Sequence, residues 1–156
     1  MIESFGKAAG SSSLGLVLPR AALGSTMVFH GVQKLREPEK IGAGFEALGI
    51  SPGPRWARAT GLAETFAGAA AILGVLTRPA ALAVLTTQSI AVAKVHRKNG
   101  FDTTKGGFEW NLTLMAVAAG LLVAGPGRLS VHRGIARSLP RRRRWRWGRI
   151  AAALLG

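Results

Sequence analysis

His30 and Lys34, four positions apart, and a single acid further along, Glu64, are the residues of this chain best placed for acid–base or headgroup chemistry. An i, i+4 pair lies on one face of a helix, and Leu23 and Met27 continue that face. Glu64 stands inside an otherwise apolar stretch. A carboxylate at the centre of a membrane helix is disfavoured by about 2.5–3.5 kcal/mol on insertion scales, so it has to face other helices and find a cationic partner. Lys34 and His30 are the candidates. Such a pair fixes how two helices dock, or it binds a polar headgroup or carries protons; the two readings are compatible.

His96 and Glu109 extend the set. Each stands at the end of an apolar stretch, where a histidine near a helix C-terminus or an acid in a first turn already satisfies the backbone dipole. His30 with His96 would permit bis-histidine haem ligation, but both lie near an aqueous edge. The four residues His30, Glu64, His96 and Glu109 lack the short ligand spacing of a zinc site, so no metal is expected. Trp56 and Trp110 start apolar stretches, as interfacial aromatic residues do.

The elements that must position these groups are four apolar stretches at about 14–35, 57–76, 80–96 and 108–124. Between them charges crowd, which is the distribution of spans and loops. The expected fold is therefore all-α: an integral membrane four-helix bundle, up-down-up-down, with a basic cytoplasmic C-terminal tail. It divides into an N-terminal segment 1–13, a four-span domain 14–127 and a tail 128–156. The last two spans, about 17 residues each, reach only about 25 Å, the short limit for a bilayer core. Pro19 is placed near the start of the first span, and Arg20 is expected to snorkel from there toward water. Thr77-Arg78-Pro79 makes a hairpin of the second and third spans, a short surface helix is expected within 41–48, and Gly125-Pro126-Gly127 stops the fourth span. Small residues at Ala57, Gly61, Gly68 and Ala71 or Ala69, and at Ala116, Ala119 and Gly120, mark close helix approach. The start lacks a cationic lead and a cleavage site, so the first stretch is read as a retained span.

Of the 21 Lys and Arg residues, nine arginines fall after residue 127, where there is no acid. With Lys7, Arg20 and Arg78 they outnumber the basic residues of the two long loops, which places both termini in the cytoplasm and the polar layer outside. The +14 net charge then has the anionic lipid surface as its partner rather than nucleic acid. Arg141, Arg142, Arg143, Arg144, Trp145, Arg146 and Trp147 are the expected surface contact, arginines on phosphates and indoles among headgroups. Without cysteine there is no thiolate metal site, iron–sulfur ligation or thiol relay.

Taken in order, Phe29-His30-Gly31-Val32-Gln33-Lys34-Leu35, Glu64 with Gly68, Leu73-Gly74-Val75-Leu76-Thr77-Arg78, Ala93 and His96 with Asn99-Gly100-Phe101, Gly107 with Glu109, and Gly125-Pro126-Gly127-Arg128-Leu129-Ser130 resemble the DoxX family of small bacterial membrane proteins. The chain departs from the family pattern at Ala67, where a glycine is common, and at His132, where an aspartate is. The resemblance implies a multi-pass protein of the bacterial inner membrane and an accessory subunit of a redox-related or oxidative-stress complex, with soluble or membrane redox enzymes as partners. A quinone or other small ligand is the implied cofactor, held among His30, Lys34, Glu64, His96 and Glu109; a catalytic residue is not assigned. The alternatives are a scaffold that recruits soluble enzymes through its basic tail and, more remotely, a small-solute carrier. A homo-oligomer stays open.

Overall fold

The structure, a computed structural model, describes residues 12–138, with side-chain surroundings given for 15–135. Met1–Ser11 and the Arg141–Trp147 cluster lie outside the described residues. Among those described the chain is all-α, without strands. Helix α1 is Ser12–Arg36, α2 Pro38–Ala47, α3 Gly53–Leu73, α4 Thr77–Ala91, α5 Glu109–Ala124 and α6 Val131–Ser138. Helical winding continues past α4 through a π turn, Val92–His96, and a 3-10 turn, Arg97–Asn99.

Helices α1 and α3 are antiparallel and touch backbone to backbone. A Cβ on Gly24 would lie 2.5 Å from the Gly68 carbonyl oxygen, and one on Gly31 would lie 2.6 Å from that of Gly61. Two glycines seven residues apart on each helix thus form a seam in which dispersion between backbones replaces side-chain packing. Ala57, Gly61, Gly68 and Ala71 are buried as expected, whereas Ala69 is exposed. The small residues of α5 do the opposite: Ala116, Ala119 and Gly120 are exposed, and the buried face is Asn111, Leu114, Ala118 and Leu121.

The turn between α3 and α4 is Gly74-Val75-Leu76, three residues earlier than the sequence reading placed it. Gly74 takes the left-handed conformation, φ 67°, while its N–H donates to Ala71 O and that of Val75 to Ala70 O. That is a Schellman end, which only glycine enters without Cβ strain. Leu23, Met27, Ala67, Ala70, Ala80, Val84, Leu114, Ala118 and Leu121 belong to the apolar core, which runs from beside this turn to Leu114.

Arg20 corrects the expectation that it reaches for water. It is 3% exposed, and Pro19 stands inside α1 rather than in its first turn. Its Nε donates to Ala71 O at 3.0 Å and Nη2 to Ile72 O at 3.1 Å, the last carbonyls of α3. Nη1 donates to Leu129 O at 2.9 Å and to Pro126 O in the Gly-Pro-Gly turn. A helix C-terminus offers unpaired carbonyls and partial negative charge, so a guanidinium is satisfied there without an acid. Gly74 leaves room for it: a Cβ would come within 2.9 Å of Arg20 Cζ.

Polarity is distributed inside out. Arg20, Glu64, Gln88 and Asn111 are all buried, while Leu18, Phe29, Phe66 and Val123 are 66–82% exposed. No described helix is long and apolar enough to cross a membrane: α4 and α5 have 15 and 16 residues, and α1 and α3 are interrupted by the charges they bury.

Candidate functional site

At the end opposite Arg20 the core is replaced by a cavity of about 680 Å³. One wall is α1 and α3, the other α4, its π turn and α5; α2 and the segment after it close a third side with Phe45, Leu48 and Ile50. Helix α2 is held in place by Gly42, whose backbone lies directly against Gly53 and Pro54. Glu46 Oε1 accepts from Gly53 N at 3.0 Å, and Arg58 pairs with Glu39 at 2.6 Å. It occupies Pro38–Ala47, close to the short helix expected there.

The expected pair forms. Lys34 Nζ lies 2.6 Å from Glu64 Oε2, with 20% and 6% of the two side chains exposed. The Gly31–Gly61 approach, one turn from each residue, brings α1 and α3 close enough for the bond to be direct. No hydrogen bond reaches Glu64 Oε1 among the described residues. His30 sits one turn before Lys34 on the same cavity wall, edge-on to Phe29 with ring centroids 5.5 Å apart. Its ring nitrogens have no hydrogen-bond partner among the described residues.

His96 reaches the same cavity from the opposite wall. The π turn inserts one residue into the helical register, so His96 takes the angular place that Val95 would have in a regular helix; such turns are frequent at functional sites. His96 Nδ1 donates to Gly106 O at 2.7 Å, and Asn99 Nδ2 donates to the same carbonyl at 3.1 Å. The loop of Thr103, Gly106 and Gly107 is thereby pinned as cavity wall. Fixing Nδ1 as the donor leaves Nε2 as an acceptor in neutral imidazole. In this loop Asp102 Oδ1 accepts from Thr104 Oγ1 and Thr104 N, which holds the carboxyl below the usual range.

Glu109 does not join the cavity. It stands in the first turn of α5, where Oε2 accepts a long 3.4 Å bond from Thr103 N, so its role is local. The cavity gathers His30, Lys34, Glu64 and His96 and leaves Glu109 outside.

Two lining residues escaped the sequence reading. Asn111 Nδ2 donates to Gln88 Oε1 at 2.8 Å, and Gln88 Nε2 points to Met27 Sδ at 3.8 Å. Both amides are buried in helices otherwise apolar at that depth, and this isolation was the available signal. They tie α4 to α5 and face α1 across the cavity floor. Trp56 and Trp110 also line the cavity and are half exposed. Among the described residues no three His, Asp or Glu side chains converge as a metal would require.

Comparison with known proteins matches residues 15–97 to the DoxX family. An uncharacterized membrane protein of Mycobacterium tuberculosis, Rv3486, is 30% identical over 129 residues, 76% of this chain and 79% of the relative. No solved structure matches. The matched stretch holds the glycine seam, Lys34 with Glu64, the π turn and His96, and with this architecture around them the chain belongs to the DoxX family of membrane proteins.

Proposed function

We propose that this chain is a multi-pass subunit of a redox-related complex in the bacterial inner membrane, whose cavity holds a small ligand with a polar head and an apolar body. The observation that carries this reading is the buried Lys34–Glu64 pair opening onto a cavity instead of being packed over. A pair that only docked two helices would be covered by side chains, since every unfilled contact weakens packing. A quinone is the ligand that fits the family context: Lys34 or His30 would hydrogen-bond a carbonyl, and Glu64 would exchange the accompanying proton.

The inside-out polarity supports spanning helices. Buried Arg20, Glu64, Gln88 and Asn111 are each hydrogen-bonded, as lipid requires, while Phe29, Leu62, Phe66, Leu82 and Val123 face outward. Among the described residues the Arg20 end bears Arg78, Arg128 and Arg133 and no acid, which supports a cytoplasmic Arg20 end and an outward-facing cavity. Trp56 and Trp110 then stand at the outer interface.

Titrating a short-chain quinone into the purified full chain tests the ligand reading. Saturable binding that weakens in Glu64→Gln is expected; absence of saturation, or indifference to the substitution, sinks it.

A second reading, a docking platform, rests on α6. Val131 and Ile135 share an exposed apolar stripe, four residues apart, while the exposed Arg133 falls on the other side of the helix. That pattern suits a helix lying in the interface of an anionic membrane, continued by the arginine- and tryptophan-rich tail. Deleting Pro140–Gly156 and comparing co-purifying proteins separates lipid contact from enzyme recruitment, because retention of every partner argues against recruitment.

A further inference from the structure

The cavity carries more positive than negative charge. Among the described residues its lining includes Lys34 and Lys94 and one acid, Glu64. Lys34 is neutralised by Glu64 at 2.6 Å. Lys94 has no carboxylate within ion-pair distance among the described residues, where the other pairs are Lys40 with Glu37, Arg58 with Glu39 and Lys105 with Asp102. Lys94 lies one turn after Ile90, on the face that Ile90 and Ala91 present to the cavity. It therefore stands at the rim of a space whose other lining includes Phe45, Leu48 and Leu114.

Lys94 is exposed at the cavity rim, where its ammonium can meet the head of a ligand whose apolar body lies inside. A neutral head would give that ammonium no counter-charge. An oxyanion would meet it with a charge-assisted hydrogen bond. His96 cannot substitute for Lys94 while neutral, because its Nδ1 proton is committed to Gly106 O.

Resting on the cavity reading above, we propose that the ligand presents an ionised oxygen head on an apolar body, with Lys94 as the residue that selects for the charge. The class includes carboxylate-headed acyl chains and ring ligands with an acidic hydroxyl. Selection falls on the head, while Phe45, Leu48, Ile90 and Leu114 accept the body with little discrimination.

Matched pairs that differ only in the ionisable group provide the test: palmitate against cetyl alcohol, and hydroxynaphthoquinone against naphthoquinone. Affinities are measured at neutral pH on the full chain in a zwitterionic nanodisc, by quenching of tryptophan fluorescence confirmed calorimetrically. The ionised member of at least one pair is expected to bind about tenfold more tightly, one decade being about 1.4 kcal/mol. That ratio should fall to near unity in Lys94→Met and return in Lys94→Arg. Lys94 is exposed, so neither substitution removes core contacts. Equal binding within both pairs, or a ratio unchanged by Lys94→Met, overturns the charge selection and leaves the cavity reading standing. Binding of none of the four compounds overturns both.

Discussion

The two ends of the helix assembly treat buried polar groups in opposite ways. At the Arg20 end one guanidinium donates to four carbonyls from α3 and the following turns, and the space around it is filled. At the cavity end Lys34 and Glu64 satisfy each other through a single contact, and Glu64 Oε1, both nitrogens of His30 and Nε2 of His96 are left uncommitted among the described residues. Donors saturated by backbone make a clamp, because a carbonyl cannot be exchanged for a ligand without opening a helix end. Side-chain groups with spare capacity beside empty volume are free to meet a ligand, as the proposed reading requires.

Removing the clamp should have the largest effect. Arg20→Met takes the guanidinium from the carbonyls of Ile72, Pro126 and Leu129, while Ala71 O keeps the Gly74 N–H; each lost donor at a buried carbonyl is a loss of about 1–3 kcal/mol, so unfolding in mild detergent is expected at a Tm several degrees below the parent's. An unchanged Tm would mean that the carbonyls find other partners and the two ends do not differ. Gly68→Val comes next: its Cβ would lie 2.5 Å from Gly24 O, backbone that cannot move aside, and overpacking of this kind is unfavourable by about 1–3 kcal/mol. Loss of ligand affinity should accompany it, since the same seam sets the reach of Lys34.

Glu64→Gln should act mainly on the site. It strands a largely buried ammonium at a loss of order 2 kcal/mol, less than for a fully buried pair because Lys34 keeps 20% exposure. The double variant Lys34→Met with Glu64→Gln should recover part of that stability and none of the ligand binding, a separation measurable by thermal melts alongside titration. If stability and binding fall and recover together, the pair is a dock and not a site. Asn111→Leu, which deprives Gln88 of its donor, should lower stability by about 1 kcal/mol and loosen α4 against α5 in hydrogen exchange.

The smallest effect concerns the loop. Asp102, whose carboxyl is held low by Thr104, stabilises the loop while ionised. The contribution is complete above the ordinary aspartate range and disappears as pH falls through the lowered value. Amide exchange within 100–108 should therefore quicken, after correction for intrinsic rates, only at pH below the usual aspartate pKa, and Asp102→Asn should remove that acid dependence.

Much of this architecture was legible before any coordinates. Apolar stretches bounded by Pro, Gly and charge gave the helices to within a few residues, because capping and the 3.6-residue period are local properties. Lys34 with Glu64 was legible too, since a lone acid in an apolar helix demands a cation and few were within reach. Arg20 was misread for want of the same locality: whether an arginine near a helix end reaches water or a carbonyl depends on where a turn more than a hundred positions away is placed. Ala116, Ala119 and Gly120 show the same limit. Small residues permit close approach, but only packing decides which helix approaches, and here α1 and α3 met while that face of α5 turned outward.

By itself, then, the amino-acid sequence determined the helices, the burial of Glu64 and its need for a cation, since these follow from local geometry and from the free energy of placing charge in an apolar setting. Tertiary structure alone decided that the pair borders a cavity and that His96 joins it through a π turn while Glu109 does not. It also decided that Gln88 and Asn111 form the floor and that Lys94 has no counter-charge among the described residues. Each of these depends on which faces meet across helices, and on how much space remains between them once the Arg20 end is filled.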